Sequence, residues 1–318
     1  MTDNGPLKLG WIGAGRMGQV LAARLIEAGQ DVTIYNRTRS KVELLEQRGA
    51  KVVDSPAELA DRDLVFTMVA ADDDFKEVVL GPSGLLSNPD IAPRLLVDAT
   101  TISAAAADVV RAAAGERGMA VIAAPVSGNP KVAAAGRLTI VASGPSEAFE
   151  EVRPMLELLC ARVTYVGDGE SARLVKICHN LMLGVVAQTL AEITLLAEKG
   201  GVARADFLAF LNDSVMGSTF TRYKTPAYVN LDFKPSFTPP LLLKDFKLGF
   251  SAAKELGGLP MPVAAAAQAV LAEVVASGEY DDMDFAVLLE VLAQRAGMEL
   301  IPEGVWVDDG LEPLAAAS

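Results

Sequence analysis

The sequence predicts an α/β fold: an N-terminal Rossmann-type doubly wound sheet domain plus an all-α C-terminal domain, joined by a long interdomain helix. Three observations carry this expectation. Short apolar runs alternate with amphipathic stretches through the first half of the chain. A glycine-rich turn, Gly13-Ala14-Gly15-Arg16-Met17-Gly18, separates the first apolar run from the first amphipathic stretch. Beyond Gly167 helical patterns succeed one another with no clear strand between them. At 318 residues the chain also exceeds one typical core, so two domains are expected. The boundaries read as 1–167 for the sheet domain, 168–300 for the helical domain and 301–318 for a tail that lacks periodicity and is expected to be partly disordered.

The elements follow in order. Leu7–Ile12 is a strand that runs into the glycine turn, a periodic helix (Val20, Leu21, Leu25, Ile26) ends near Gly29, and Asp31–Tyr35 is the second strand. In this setting the first glycine permits a tight turn, the second lets backbone approach a pyrophosphate, and the third lets the helix pack close to the strand. Gly13, Ala14, Gly15, Arg16 and Met17 are therefore expected to bind a dinucleotide, its anion resting on the helix N-terminus. The second strand ends in Asn36-Arg37-Thr38, where an NAD site usually carries Asp or Glu for the ribose 2′-hydroxyl. A guanidinium fork and a hydroxyl suit a 2′-phosphate, so NADP(H) is expected over NAD(H); the alternative is an ordinary basic turn.

Lys51–Val53 is a third strand, and Ser55–Ala60 a short helix capped by Ser55 with Pro56 at its first position. Leu64–Val69, Leu95–Asp98 and Met119–Ala123 continue the sheet, and ligands of such sheets lie beyond the carboxyl ends of the strands. That places Val69, Ala70, Thr100 and Thr101 beside the same cofactor. Gly136–Ser143, a helix over Pro145–Cys160 and a strand over Arg162–Val166 complete the domain. Helices are then expected over Ser171–Gly200, Ala203–Asp213, Leu241–Leu256, Met261–Ser277 and Asp284–Glu299. Between Ser214 and Pro240 the pattern reads as a loop rich in hydroxyl and charged residues. It would either cover the active-site mouth or simply connect.

Composition excludes several functions. A formal net charge of −13 argues against a nucleic-acid partner, because phosphate backbones need a basic face. The two cysteines and single histidine make no metal cluster and no disulfide framework, so no metal is expected. The start of the sequence lacks a basic region followed by an apolar run, so no secretory signal is expected and the location is taken as cytoplasmic.

Ala172–Leu196 holds the least expected residue. The stretch is apolar most of the way round a helix, which marks burial on several sides, yet it contains Lys176. Asn180 lies one turn on, on the same face. A desolvated lysine can exchange a proton near neutral pH, whereas a snorkelling one only shows its head to solvent. Arg, Lys, His, Asn and Glu within the stretch argue against a membrane span. Its uncovered faces suggest a homodimer or homotetramer.

Four ordered motifs resemble the β-hydroxyacid dehydrogenase family, which includes 3-hydroxyisobutyrate dehydrogenases and short-chain semialdehyde or glyoxylate reductases. They are Gly13–Gly18; Ala124-Pro125-Val126-Ser127-Gly128; Gly167-Asp168-Gly169 leading to Lys176-Ile177-Cys178-His179-Asn180; and Phe233-Lys234-Pro235-Ser236-Phe237 with Leu243-Lys244-Asp245-Phe246-Lys247-Leu248. The resemblance implies that Lys176 is the catalytic lysine and that Asn180 positions the substrate. It implies a carboxylate-binding loop at Ser127 and Gly128, a cofactor contact from Lys244 supported by Asp245, and a hydroxyl at Thr101 near the nicotinamide. This chain departs from the family loop, which commonly starts with Asp and ends in two glycines, by having Ala124 and then Asn129-Pro130. Asn129 would add an amide at the substrate loop. The expected activity is hydride transfer between NADP(H) and a small carboxylate-bearing alcohol or carbonyl compound, a β-hydroxyacid or its semialdehyde or keto acid, with Lys176 as general acid/base. The alternatives are an imine reductase on the same fold and a non-catalytic NADP-binding module.

Overall fold

The computed structural model describes residues 7–311, and the chain divides into two compact units, Met1–Lys176 and Ile177–Ser318. In the first unit six strands form one parallel sheet in the order β3-β2-β1-β4-β5-β6. They are β1 (Lys8–Ile12), β2 (Asp31–Tyr35), β3 (Lys51–Val53), β4 (Leu64–Thr67), β5 (Leu95–Asp98) and β6 (Ala120–Ala123). Alternate side chains along the central strands enter different cores. Leu64, Phe66, Leu95 and Val97 join Leu21 and Leu25 of helix α1 (Arg16–Glu27). Val65 and Leu96 join Phe75 and Val79 of α3 (Asp72–Leu80) and Val110 of α4 (Ala104–Glu116). α2 (Glu43–Gln47) lies between β2 and β3 in sequence. Every residue of β4 and β5 is buried, as a parallel strand covered on both faces requires. The sheet is thus doubly wound, and its strand order reverses between β1 and β4, where such sheets hold their ligands.

The last strands of this unit depart from the sequence expectation. β7 (Val126–Ser127), β8 (Thr139–Ala142) and β9 (Arg162–Tyr165) make a separate sheet in the order β7-β8-β9, with β7 antiparallel and β9 parallel to β8. A bridge between Ala123 and Ser143 joins this sheet to the end of β6. Pro125 lies two residues beyond Ala123, the last residue of β6, and without an N–H it cannot extend the parallel ladder. α5 (Pro130–Ala134) and α6 (Ser146–Leu159) lie between these strands in sequence.

α7 (Ser171–Lys199) leads into the helices of the second unit: α8 (Arg204–Asp213), α9 (Thr219–Asn230), α10 (Pro239–Glu255), α11 (Pro262–Ser277) and α12 (Leu288–Arg295). No strand occurs after Tyr165 among the described residues. α7 is 29 residues and, by length and composition alone, could cross a membrane; half of its apolar window is buried inside the protein. Burial on several sides is not what the chain provides. Ala187, Ala191 and Leu195 are buried, whereas Met182 and Leu196 stay 70% and 74% exposed.

Two further differences have local causes. The expected loop over 214–240 contains α9, started by a capping box between Ser218 and Thr221 and burying Lys224, Thr225, Ala227, Tyr228 and Val229. Its threonines and Pro226 disfavour a helix, and tertiary burial overrides that preference. The start of the tail, expected to lack order, is held by hydrogen bonds. Glu303 accepts from the backbone N–H groups of Arg204 (2.7 Å) and Ala205 (3.0 Å), capping α8. Fully buried Arg204 donates to the carbonyls of Tyr228, Val229 and Ile301. The part of the tail over 312–318 lies outside the described residues.

Candidate active site

The turn between β1 and α1 is built to leave its crest open. Gly13 has φ +97°, and a Cβ there would lie 2.2 Å from the Met68 carbonyl oxygen. A Cβ on Gly18 would lie 2.1 Å from the Gly13 carbonyl oxygen, so only glycine lets α1 close on the turn. Buried Trp11 holds that same oxygen, its indole Nε1 donating over 2.8 Å. A Cβ on Gly15, by contrast, would meet nothing within 4 Å. No side chain caps α1 and no acidic residue lies in its first turn, features that suit an anion at its N-terminus. Exposed Arg16 and half-buried Met17 follow. This cradle fits a dinucleotide pyrophosphate.

Asn36 ties the two cofactor loops together. Its Oδ1 accepts from the Ala14 N–H at 2.8 Å and its Nδ2 donates to the Thr38 carbonyl at 2.8 Å. Arg37 and Thr38 are exposed beside it. Arg37 Nη1 pairs with Asp74 at 3.1 Å, and Arg39 pairs with Asp54 at 3.0 Å. These acidic partners were not visible in the sequence, because they come from α3 and from the end of β3.

A buried hub organises the carboxyl ends of β4 and β5. Asp98 is fully buried, and its Oδ1 accepts from the Thr67 hydroxyl (2.6 Å), the Thr100 hydroxyl (2.7 Å) and the Thr100 N–H (3.2 Å). Thr100 Oγ1 in turn accepts from the Val69 N–H at 3.1 Å. The strand ends that carry Val69, Ala70 and Thr101 are thereby cross-linked. Asp98 Oδ2 pairs with Arg173 Nη2 at 2.8 Å, and Arg173 Nη1 donates to the Thr100 carbonyl at 2.9 Å. Burial alone would lower the Arg173 pKa, but the carboxylates of Asp98 and Glu170 outweigh it and raise the value, so the guanidinium stays charged. Asp98 and Arg173 were missed in the sequence. The available signals were a carboxylate closing an apolar strand and a second cation in the apolar helix.

Ser127 is half-buried in β7, and Gly128 follows with φ +136°. Asn129 caps α5, its Oδ1 accepting from the Val132 N–H at 2.9 Å. Capping engages Oδ1, so a substrate carboxylate would be met by the Nδ2 donor instead. Lys176 lies in the second turn of α7 and is half-buried, not fully buried as the apolar stretch suggested, since Leu174 and Val175 beside it are exposed. Arg173, one turn earlier, is the buried cation.

In the second unit, glycines bring α7 and α10 together. A Cβ on Gly184 would lie 2.3 Å from the Phe246 ring, and one on Gly249 would lie 2.6 Å from Leu181. At this close crossing buried Asn180 donates through Nδ2 to Asp245 Oδ2 at 2.5 Å. Its Oδ1 lies 2.9 Å from His179 Nδ1, and because an amide oxygen only accepts, that imidazole nitrogen carries the proton. Lys244 Nζ lies 3.6 Å from the Asp245 carboxylate. No group of three or more His, Cys, Asp or Glu side chains that could hold a metal occurs among the described residues.

The doubly wound sheet and its open glycine cradle define a dinucleotide-binding domain. Residues 8–167 match the family model of the NAD binding domain of 6-phosphogluconate dehydrogenase, and residues 170–292 that of the NAD-binding domain of NADP-dependent 3-hydroxyisobutyrate dehydrogenase. The chain is 33% identical to a probable 3-hydroxyisobutyrate dehydrogenase-like 1 of Arabidopsis thaliana, over 89% of this chain and 84% of that protein. It is also similar to the structure of Mycobacterium tuberculosis 3-hydroxyisobutyrate dehydrogenase with L-serine. There the TM-score is 0.78 and the identity 27%, covering 91% of this chain and 99% of the other. Against a structure described as Psf3 in complex with NADP+ and 2-OPP the TM-score is 0.81 at 26% identity, covering 89% and 99%. The chain belongs to the β-hydroxyacid dehydrogenase family.

Proposed function

We propose that the protein is an NADP(H)-dependent dehydrogenase or reductase of a small β-hydroxyacid or its semialdehyde or keto acid. The observation that carries this reading is Lys176 on α7, one turn before an Asn180 whose amide is fixed by Asp245 and His179. The bound nicotinamide supplies the hydride. Lys176 gives a proton to the carbonyl oxygen in reduction and takes the hydroxyl proton in oxidation. Asn180 orients that oxygen, Ser127, Gly128 and Asn129 receive the carboxylate, and Thr101 and Lys244 line the cofactor. Arg37 and Thr38, exposed where a 2′-hydroxyl-binding carboxylate is absent, favour NADP(H). The structure described with NADP+ is in keeping with this.

NADPH oxidation screened over glyoxylate, succinic semialdehyde, methylmalonate semialdehyde and tartronate semialdehyde, with NADH in parallel and cyclic imines as a contrasting set, tests the reading. Turnover on imines alone would replace it with imine reduction, which the fold accommodates: an imine reductase from Pseudomonas sp. shares it at 20% identity. Tight NADPH binding without turnover on any compound would leave a binding module. Lys176→Ala should lower kcat by about 10²–10⁴-fold with NADPH affinity kept; near-normal turnover would remove Lys176 from the mechanism. A second copy of the chain is the proposed cover for the open apolar groove between α7 and α11, where Leu181, Met182 and Val185 face Met261 and Val263. Light scattering at the monomer mass would refute it.

A further inference from the structure

Arg173 turns each arm of its guanidinium toward a different oxygen, two in hydrogen bonds and one in an ion pair. Nη2 reaches Asp98 Oδ2 at 2.8 Å, Nη1 reaches the Thr100 carbonyl at 2.9 Å, and Nε binds Glu170. Both Arg173 and Asp98 are almost wholly removed from solvent, at 3% and 0%. A buried ion pair adds little net stability over a well-packed apolar pair, because desolvation of two charges offsets their attraction. What the fork does add is direction, since its ion pair with Asp98 and its bond to the Thr100 carbonyl both reach from the helix to the strand ends and together restrict the helix's rotation.

That rotation matters because of what each end carries. Lys176 follows Arg173 by three residues on α7, about 4.5 Å along the axis and roughly 60° around it. The other end is the strand crest, where Asp98 and Thr100 join Thr67 and Val69 next to Thr101. The remaining anchors act earlier in the helix. Ser143 Oγ accepts from the Ala172 N–H at 3.0 Å and donates to the Gly169 carbonyl at 2.8 Å, and Arg111 pairs with Glu170. Arg173 links the turn bearing Lys176 to the ends of β4 and β5.

We infer that the Asp98–Arg173 pair is a positioning device that sets the rotation of the first turns of α7, and hence the placement of Lys176, against the strand crest carrying Thr100 and Thr101. The inference rests on the proposed role of Lys176 only for its consequence in turnover. Loosening the fork should free both of its ends together.

Arg173→Lys keeps the charge opposite Asp98 but cannot serve three acceptors, and Arg173→Gln keeps hydrogen bonding without charge. Hydrogen exchange in both variants should quicken at once over residues 98–102 and 173–179, with NADPH affinity by fluorescence titration within about threefold of wild type. On whichever carbonyl compound wild type reduces, Arg173→Lys should lower kcat about 10- to 100-fold with a smaller change in KM. In a Lys176→Ala background the same substitution should cost no more than about twofold further, since the lysine it positions is gone. Unchanged exchange at either end, or a full and additive kcat loss in the double variant, would overturn the inference. If Lys176→Ala itself kept its turnover, the proton-transfer role would fall, and the paired exchange would still decide whether the clamp exists.

Discussion

Removing the carboxylate of Asp284 should unfold much of the helical unit's stability in one step. Asp284 is 2% exposed and Lys224 4%. Oδ1 accepts from Lys224 Nζ at 2.5 Å and the Ala286 N–H at 3.0 Å; Oδ2 accepts from the Ser236 hydroxyl at 2.5 Å and the N–H groups of Ser236 and Phe237 at 3.3 Å each. One side chain thus joins α9, the segment before α10 and the turn before α12. Asp284→Ala leaves the Lys224 ammonium buried opposite no carboxylate there, a change that costs about 3–5 kcal/mol. For a unit of this size that corresponds to a fall in Tm of roughly 10–20 °C. Lys224→Met should cost less, because the carboxylate keeps four other donors. Burial pushes the Asp284 pKa up, but Lys224 and the other donors outweigh it and hold the value below normal. A lowered folded-state pKa means that this stability is present above the unfolded value of about 3.9 and is lost as pH falls from there through the folded value. Calorimetry of wild type and variant should therefore show a constant gap between pH 6 and 8 that narrows below about pH 4. A fall of less than about 3 °C at pH 7, or a gap that widens in acid, would refute the account.

Charge reversal at Arg37 tests the choice of dinucleotide. The side chain is 85% exposed, so water-like screening applies. Two charges changed beside a 2′-phosphate dianion at about 5 Å amount to about 3 kcal/mol, roughly halved by physiological salt. Arg37→Glu should shift the NADPH:NADH ratio of kcat/KM about tenfold toward NADH, and an unchanged ratio would remove Arg37 from recognition. Gly18→Ala places a methyl against the Gly13 carbonyl with no rotation to avoid it, so NADPH binding by calorimetry should weaken at least about tenfold. Affinity within twofold would show that the turn is softer than its contacts imply.

The strands were legible because a parallel sheet covered on both faces demands apolar runs, and Asp31–Tyr35, Lys51–Val53 and Leu95–Asp98 are bounded as their patterns indicate. The glycine turn was legible because sterics leave no other residue at Gly13 and Gly18. What stayed hidden depends on partners distant in sequence. α9 is a helix because Lys224 and Tyr228 find burial, not because Thr219–Asn230 favours one. Glu303 caps a helix about a hundred residues before it, and no periodicity announces such a bond. Lys176 stood out as the charge in an apolar stretch, while Arg173 passed unnoticed although it is the one more deeply buried. Composition marks a cation as unusual without saying which one has found its counterion.

The Asn36 bridge separates what holds the cofactor loops from what reads the cofactor. Its amide knits Ala14 to Thr38 from within, while the side chains that would meet the adenosine ribose, Arg37 and Thr38, stand outside that frame in solvent. On the proposed function, substitutions at those two positions would redirect dinucleotide choice without disturbing the Gly13–Gly18 turn. On that reading cofactor choice would change through surface substitutions alone, with the Asn36 bridge kept in place.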